Sequence, residues 1–300
     1  MKIVILNNQA IEEHTVAAIG FFDGVHLAHK ELIKKTIEIG NKKALKKAVI
    51  TFDVHPKSIL FDLDYYYLTP LEEKIKLFKQ FDLDVIYIIE FSKAEASLTP
   101  EQFINKYLKK LDTIVCGFDF KFGVRGSGNV KTLLTNSFFK TEVVKEVTYE
   151  GYKVDSTHIR DLIRSGQVDK VSAVLGDFYT ISGEVVHGAK KGRMIGYPTA
   201  NIDTDGYFLP RRGVYITLTK VADKWYQSMT SIGHNPTLNC RIDLSVETYL
   251  LNFDQELYGK TLAIKFIKRI RDEVKFSSIE ELITEIDKDK QKTITFFKNN

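Results

Sequence analysis

Only two cysteines, Cys116 and Cys240, occur in the 300 residues. Two thiols cannot build a disulfide scaffold or a four-thiolate zinc site. No run approaches the ~20 apolar residues that span a bilayer. The longest stretch without Asp, Glu, Lys or Arg, Trp225 to Cys240, is mostly polar. The N-terminal apolar run Ile3-Val4-Ile5-Leu6 falls short of the ~7 residues of a signal-peptide core. These absences predict a soluble cytoplasmic protein with no membrane partner. Arginine is scarce beside lysine, nine against 34, and the first is Arg125. Arginine presents a rigid fork to phosphates and carboxylates, whereas lysine acts as a flexible point charge. Each arginine is therefore worth attention.

The chain is 44% apolar and 27% charged, the profile of a globular protein. At ~150 residues per domain its length predicts two. The net charge of +4 fits an enzyme of anionic small molecules, a weak nucleic-acid binder or an ordinary surface. Over residues 1–178, strand and helix patterns alternate. Strands are expected at 15–22, 48–53, 85–91 and 113–117, and helices at 27–39, 70–80 and 100–111. Thr69-Pro70-Leu71-Glu72 and Thr99-Pro100-Glu101-Gln102 read as capping boxes with Pro at the first helical position. Such alternation predicts an α/β doubly wound parallel sheet. Ligands then sit beyond the strands' C-terminal ends, near Phe22-Asp23, Phe52-Asp53 and Gly117-Phe118-Asp119. Over residues 179–300 strands replace helices, at 179–186, 214–219, 243–251 and 261–267. That predicts an antiparallel β-barrel closed by a terminal helix from Ser278, opened by Ser277 and Glu280.

The segment Gly20-Phe21-Phe22-Asp23-Gly24-Val25-His26-Leu27-Ala28-His29 follows a strand and opens a helix. His26 and His29 stand three apart, so both rings can face one point. A helix N-terminus offers free N–H groups and positive potential to phosphate. The imidazoles could donate hydrogen bonds to a triphosphate as charge moves to a leaving pyrophosphate. A bare His-x-x-His is equally a surface pair or two zinc ligands short of a third.

In context the segment resembles the His-x-Gly-His signature of nucleotidyltransferases. In its Gly-Phe-x-Asp-Gly-x-His form it is similar to the adenylyltransferase half of bacterial bifunctional riboflavin kinase/FMN adenylyltransferases, or FAD synthetases. The likeness continues through Thr51-Phe52-Asp53-Val54-His55-Pro56, Gly117 to Gly123 and Ser156-Thr157-His158-Ile159-Arg160. It implies ATP binding by Gly20, Phe21, Asp23, Gly24, His26, His29, Ser156, Thr157 and Arg160, with Asp119 and Phe120 near the flavin. Two positions depart from the pattern. Ala28 replaces a glycine, and Asp155 stands where the family has a small neutral residue.

The segment from Gly188 to Asn201, Gly188-Ala189-Lys190-Lys191-Gly192-Arg193-Met194-Ile195-Gly196-Tyr197-Pro198-Thr199-Ala200-Asn201, is basic and glycine-punctuated. It lacks the P-loop pattern. A flexible loop whose backbone approaches phosphates is the better reading. Thr199 and Asn201 supply neutral oxygens suited to Mg²⁺ held mainly by nucleotide and water. The segment resembles the Gly-Arg-x-x-Gly-x-Pro-Thr-Ala-Asn signature of riboflavin kinases. That likeness implies ATP contacts from Gly188, Lys191, Gly192, Arg193, Gly196, Pro198, Thr199 and Asn201. Glu247 lies in a strand, on the face opposite Val246 and Thr248. The resemblance makes it the base for the flavin ribityl 5′-hydroxyl. Segments 231–237 and 270–276 also resemble the family, with Arg271 a flavin-side contact.

The expected function is phosphorylation of riboflavin to FMN, then adenylylation of FMN to FAD. ATP and flavins are substrates and Mg²⁺ is the metal. One alternative is a riboflavin kinase with a weakened adenylyltransferase. A second is a flavin-responsive nucleic-acid-binding regulator, but the sequence shows no basic recognition helix, so no nucleic-acid partner is expected.

Overall fold

The computed structural model describes residues 1–188, 192, 195–234 and 244–299. It divides into two units, Met1–Ser156 and Thr157–Asn300. In the first, six strands form one parallel sheet. They are β1 (Lys2–Ile5), β2 (Thr15–Ile19), β3 (Lys46–Phe52), β4 (Val85–Ile89), β5 (Thr113–Gly117) and β6 (Lys140–Val144), in the order β1-β4-β3-β2-β5-β6. All five residues of β2 are buried. Val16 and Ala18 face a core shared with Ile33 of α1 (Leu27–Lys43) and Phe78 of α3 (Leu71–Phe78), which follows the short α2 (Pro56–Phe61). Ala17 and Ile19 face the opposite core, with Phe103, Tyr107 and Leu108. Burial on both faces is why β2 reads as an apolar run without alternation. Between β2 and β5 the strand order reverses, which opens a crevice beyond their C-terminal ends.

Three details depart from the sequence reading. The edge strand β1 was not expected; it pairs in parallel with β4, Val4 opposite Tyr87. The box at Thr99 forms, but the one at Thr69 does not. Pro70 is the N-cap of α3 and makes no side-chain cap bond. The Thr69 N–H instead donates to Asp23 Oδ1 at 3.0 Å, so tertiary structure overrides the local cap. The expected helix 100–111 winds as α only through Phe103, then widens to a π-turn over Ile104–Leu108. The wider turn lets the adjacent Lys106 and Tyr107 both reach Oε1 of the buried Glu95, at 3.0 and 3.2 Å.

The second unit carries α4 (Ser156–Ser165) from its second residue, then α5 (Val168–Leu175) and a closed antiparallel barrel. Its strands are β7 (Tyr179–Val186), β8 (Ala200–Ile202), β9 (Gly213–Val221), β10 (Lys224–His234), β11 (Leu244–Leu250) and β12 (Thr261–Arg271), in the order β7-β8-β11-β10-β9-β12. β10 escaped the sequence reading because its burial is mixed and its composition polar. Inside the barrel Thr217, Thr219, Ser228, Thr230 and Thr248 are fully buried. Their hydroxyls close a ring of five hydrogen bonds, 2.8 to 3.1 Å long. Each oxygen can donate once and accept once, so no buried hydroxyl is left unsatisfied. The terminal helix α6 (Ile279–Asn299) is capped one residue later than expected. The Glu281 N–H donates to Ser278 Oγ, and Glu281 Oε2 accepts from Ser277.

Candidate functional site

After β2 the chain turns sharply into α1. Phe22 (φ 59°), Gly24 (φ 91°) and Val25 (φ 44°) all adopt left-handed conformations. Glycine does so freely, whereas each bulky residue there costs ~1–3 kcal/mol. Side chains from elsewhere hold the turn. Thr51 Oγ1 and Lys74 Nζ donate to the Phe21 carbonyl, at 3.0 and 2.7 Å. The Asp23 carboxylate accepts from the Thr69 N–H and from the Tyr65 hydroxyl, at 3.0 and 3.4 Å. Ser156 Oγ donates to the Asp23 carbonyl at 2.8 Å. Gly20 donates its N–H to the Ile50 carbonyl at 3.1 Å.

His26 is the N-cap of α1 and its Nδ1 accepts the His29 N–H. That bond places the ring proton on Nε2. The His26 and His29 rings stack with centroids 3.6 Å apart. Burial pushes the His26 pKa down to about 4 and that of His29 well below its ordinary value. The pair is therefore neutral at pH 7 and acts through N–H donors rather than positive charge. His29 Nδ1 is buried with no hydrogen-bond partner among the described residues.

Both departures from the family pattern fall here. Ala28 is the second residue of α1 and is half-buried. Asp155 raises the His26 pKa by its charge, but pairs with Lys153 Nζ at 3.4 Å. Lys153 also holds Asp119, at 2.6 Å. Phe120 stacks on Phe122 with centroids 5.8 Å apart. Thr157 and Arg160 belong to the second unit, where the Arg160 guanidinium lies 4.7 Å from the Phe208 ring centre.

Sequence reasoning missed an aromatic cluster beside the turn. His55 stacks on Tyr65 at 4.0 Å, and Phe21 meets His55 edge-on at 4.7 Å. The Tyr67 hydroxyl accepts the His55 N–H at 3.3 Å. The only sequence signal was the density of aromatic residues in Tyr65-Tyr66-Tyr67. Lys74, a buried lysine of α3, was missed as well.

In the second unit, five of the expected residues converge. Asn201 lies opposite Glu247 in the β8–β11 register. Thr199 Oγ1 donates to Glu247 Oε2 at 3.0 Å. A Cβ at Gly188 would collide with the Asn201 amide, and one at Gly192 with the Tyr197 carbonyl, 3.2 Å from Thr199 Oγ1. Both glycines thus let the backbone at 188 and at 192 come close to Asn201 and Thr199. Gly196 needs its freedom for another reason, a φ of 84°. Asn201 Oδ1 is buried and has no hydrogen-bond partner among the described residues. An orphaned neutral oxygen beside a hydroxyl and a carboxylate is a donor set that suits Mg²⁺. Thr199 and Pro198 also line a cavity of ≈ 540 Å³ with Phe253 and Tyr258. Tyr197, not foreseen, bonds Asp287 of α6 through its hydroxyl and so ties the loop to that helix. Lys191 and Arg193 lie outside the described residues.

Arg271 ends β12. Its Nε donates to Asp289 Oδ2 at 2.8 Å, and Nη1 donates to the Asp272 carbonyl at 3.0 Å. A larger cavity of ≈ 910 Å³ is lined by β12 and α6; it includes Ile270 of the family-like segment 270–276 but none of the expected catalytic, ATP, metal or flavin residues.

Residues 8–158 match the family model for FAD synthetase, and residues 175–297 that for riboflavin kinase. A bifunctional riboflavin kinase/FMN adenylyltransferase from Listeria monocytogenes is 39% identical over 289 residues, covering 94% of this chain and 92% of its own. One from Bacillus subtilis is 39% identical over 298 residues, covering 95% and 93%. A solved structure from Streptococcus pneumoniae, named a macrolide-efflux protein, superposes with a TM-score of 0.87 at 30% identity, over 97% of this chain and 98% of that one. Efflux is the relative's name alone. Among the described residues here, no helix is long and apolar enough to cross a membrane.

Proposed function

The chain belongs to the bifunctional riboflavin kinase/FMN adenylyltransferase family, and we propose how its residues carry riboflavin to FMN and FMN to FAD. Both halves match their own family model, so neither a lone kinase nor a nucleic-acid-binding regulator is favoured. Residues 1–178 are the adenylyltransferase domain and 179–300 the kinase domain, a division supported by the start of the first barrel strand at Tyr179.

The contact of Thr199 with Glu247 beneath the glycine loop carries the kinase reading. ATP lies along Gly188, Lys191, Gly192, Arg193, Gly196 and Pro198. Thr199 Oγ1 and Asn201 Oδ1 would hold Mg²⁺ there together with the phosphates. Bound, the ion shields phosphate charge. Glu247 takes the proton of the ribityl 5′-hydroxyl as its oxygen attacks the γ-phosphate and ADP leaves. Arg271 approaches the flavin. Most of the rate comes from positioning and charge neutralisation.

In the first domain the FMN phosphate, already an anion, attacks the α-phosphate of ATP and pyrophosphate departs. No general base is needed. His26 Nε2–H and His29 donate to the phosphates, and the family likeness adds Ser156, Thr157 and Arg160 as ATP contacts. Gly20, Phe21, Asp23 and Gly24 shape the turn beneath the nucleotide. Asp119 and Phe120 stand at the flavin side. The substrates are small molecules of the cytoplasm, with no nucleic-acid or membrane partner.

Incubation of the full chain with riboflavin, ATP and Mg²⁺, followed by chromatography of the flavins, tests this. FMN followed by FAD is expected. FMN alone would leave only the kinase, and neither product would refute both assignments.

A further inference from the structure

Lys74 is a buried cation that no step above uses. It stands on α3 and is 1% exposed. Its Nζ donates to the Phe21 carbonyl at 2.7 Å and to Thr51 Oγ1 at 3.4 Å, and sits 4.1 Å from the centre of the Phe21 ring. A buried ammonium is costly unless its protons are bonded and its charge is answered. Asp23 and Asp53 answer the charge, while His29 faces it from α1.

The bonded carbonyl belongs to the last residue before the strained turn. Phe22, Gly24 and Val25 are all left-handed, and the turn delivers His26 to the start of α1. Backbone strain of this kind persists only where the surroundings over-determine it. Lys74 grips the turn at its entry, as Asp23 does at its centre.

We propose that Lys74 is a positioning residue for adenylyl transfer: its ammonium clamps the Phe21 carbonyl and so fixes the turn that sets His26 against the nucleotide. This role rests on the adenylyltransferase reading of the first domain. Burial lowers the Lys74 pKa to about 8. The clamp is therefore charged at pH 7 and weakens as pH rises through that value. Asp23, Asp53 and His29 are the titratable groups that face it.

The test is the pH profile of kcat/KM for ATP, with FMN as acceptor, in the full chain. Three proteins are compared: wild type, Lys74→Met and Thr51→Val. Wild type should lose efficiency above about pH 8. Lys74→Met should be about a hundredfold less efficient at pH 7, as for a displaced reacting group, and should show no alkaline limb. Thr51→Val removes one acceptor of the charged form, so its limb should move to lower pH. A role in stability alone would produce none of these changes in the profile. Wild-type efficiency in Lys74→Met, or an alkaline limb that survives the substitution, overturns the proposal. If Lys74→Met does not fold, the other two profiles decide: a wild type flat to pH 9.5, or a limb unmoved in Thr51→Val, also overturns it. A wild type that makes no FAD at any pH refutes the adenylyltransferase reading, and the role with it.

Discussion

Thr199 Oγ1 donates to Glu247 Oε2 at 3.0 Å, and Asn201 stands opposite Glu247 in the neighbouring strand. The hydroxyl proton is turned toward the carboxylate, so the lone pairs of Thr199 remain for a cation. The same bond fixes the rotamer of the carboxylate that, in the proposed mechanism, accepts a proton from substrate. One contact thereby aligns the groups proposed as metal ligand and as base.

Thr199→Ala and Asn201→Ala should each raise the Mg²⁺ concentration needed for half-maximal FMN formation and leave the Mg²⁺ dependence of FAD formation unchanged. Of the two, Asn201 Oδ1 is the oxygen without a hydrogen-bond partner among the described residues, so its loss should cost more. Titrations of both variants with Mg²⁺ check this. Curves that overlay wild type for both would remove the pair from the metal site.

Gly188→Ala should depress the kinase alone. The new methyl meets the Asn201 amide and must displace either the side chain or the loop. A displacement near 1 Å in a positioned site can cost about a hundredfold. Kinetics of FMN formation and of FAD formation, measured separately on one preparation, give the answer. A fully active kinase would mean that the loop does not close over Asn201.

Ala28→Gly should raise FAD synthesis, chiefly by lowering KM for ATP, because Ala28 occupies the helix start proposed to receive the nucleotide. His26→Ala and His29→Ala should each lower FAD synthesis and spare FMN formation. Steady-state kinetics on the full chain check all three. If Ala28→Gly has no effect and either histidine variant is fully active, the nucleotide does not use this helix start.

Much of this site was legible in the sequence. The turn residues and both histidines sit in one segment, and the helix they open is where the pattern places it. The basic glycine loop, Thr199 and Asn201 are contiguous as well. What could not be read was long-range. Thr69 looks like a helix cap until Asp23, 46 residues earlier, takes its N–H. Lys74 looks like one solvated position of an amphipathic helix until the Phe21 carbonyl claims it. β1 looks like a stray apolar tetrad until β4 supplies its partner. In each case the partner lies far away in sequence, and no local pattern encodes it.

The neutral histidine pair predicts acid sensitivity. The His26 pKa, 6.5 in an unfolded chain, falls to about 4 on folding. Between those values the unfolded state binds a proton that the native state does not. Stability is thus fully present above pH 6.5 and is lost as pH falls toward 4, by roughly 3 kcal/mol for this group. Urea midpoints by circular dichroism at pH 7.5 and 4.5 should drop more in wild type than in His26→Gln. Equal drops would show that His26 is already charged in the native state.

With two separate sites on one chain, Glu247→Gln silences one reaction and spares the other. Given riboflavin and ATP, the variant should form FMN ~10²–10⁴-fold more slowly, the typical cost of losing a general base. Given FMN and ATP, it should make FAD at nearly the wild-type rate. Equal loss of both activities would contradict the account, because a single site would then serve both reactions.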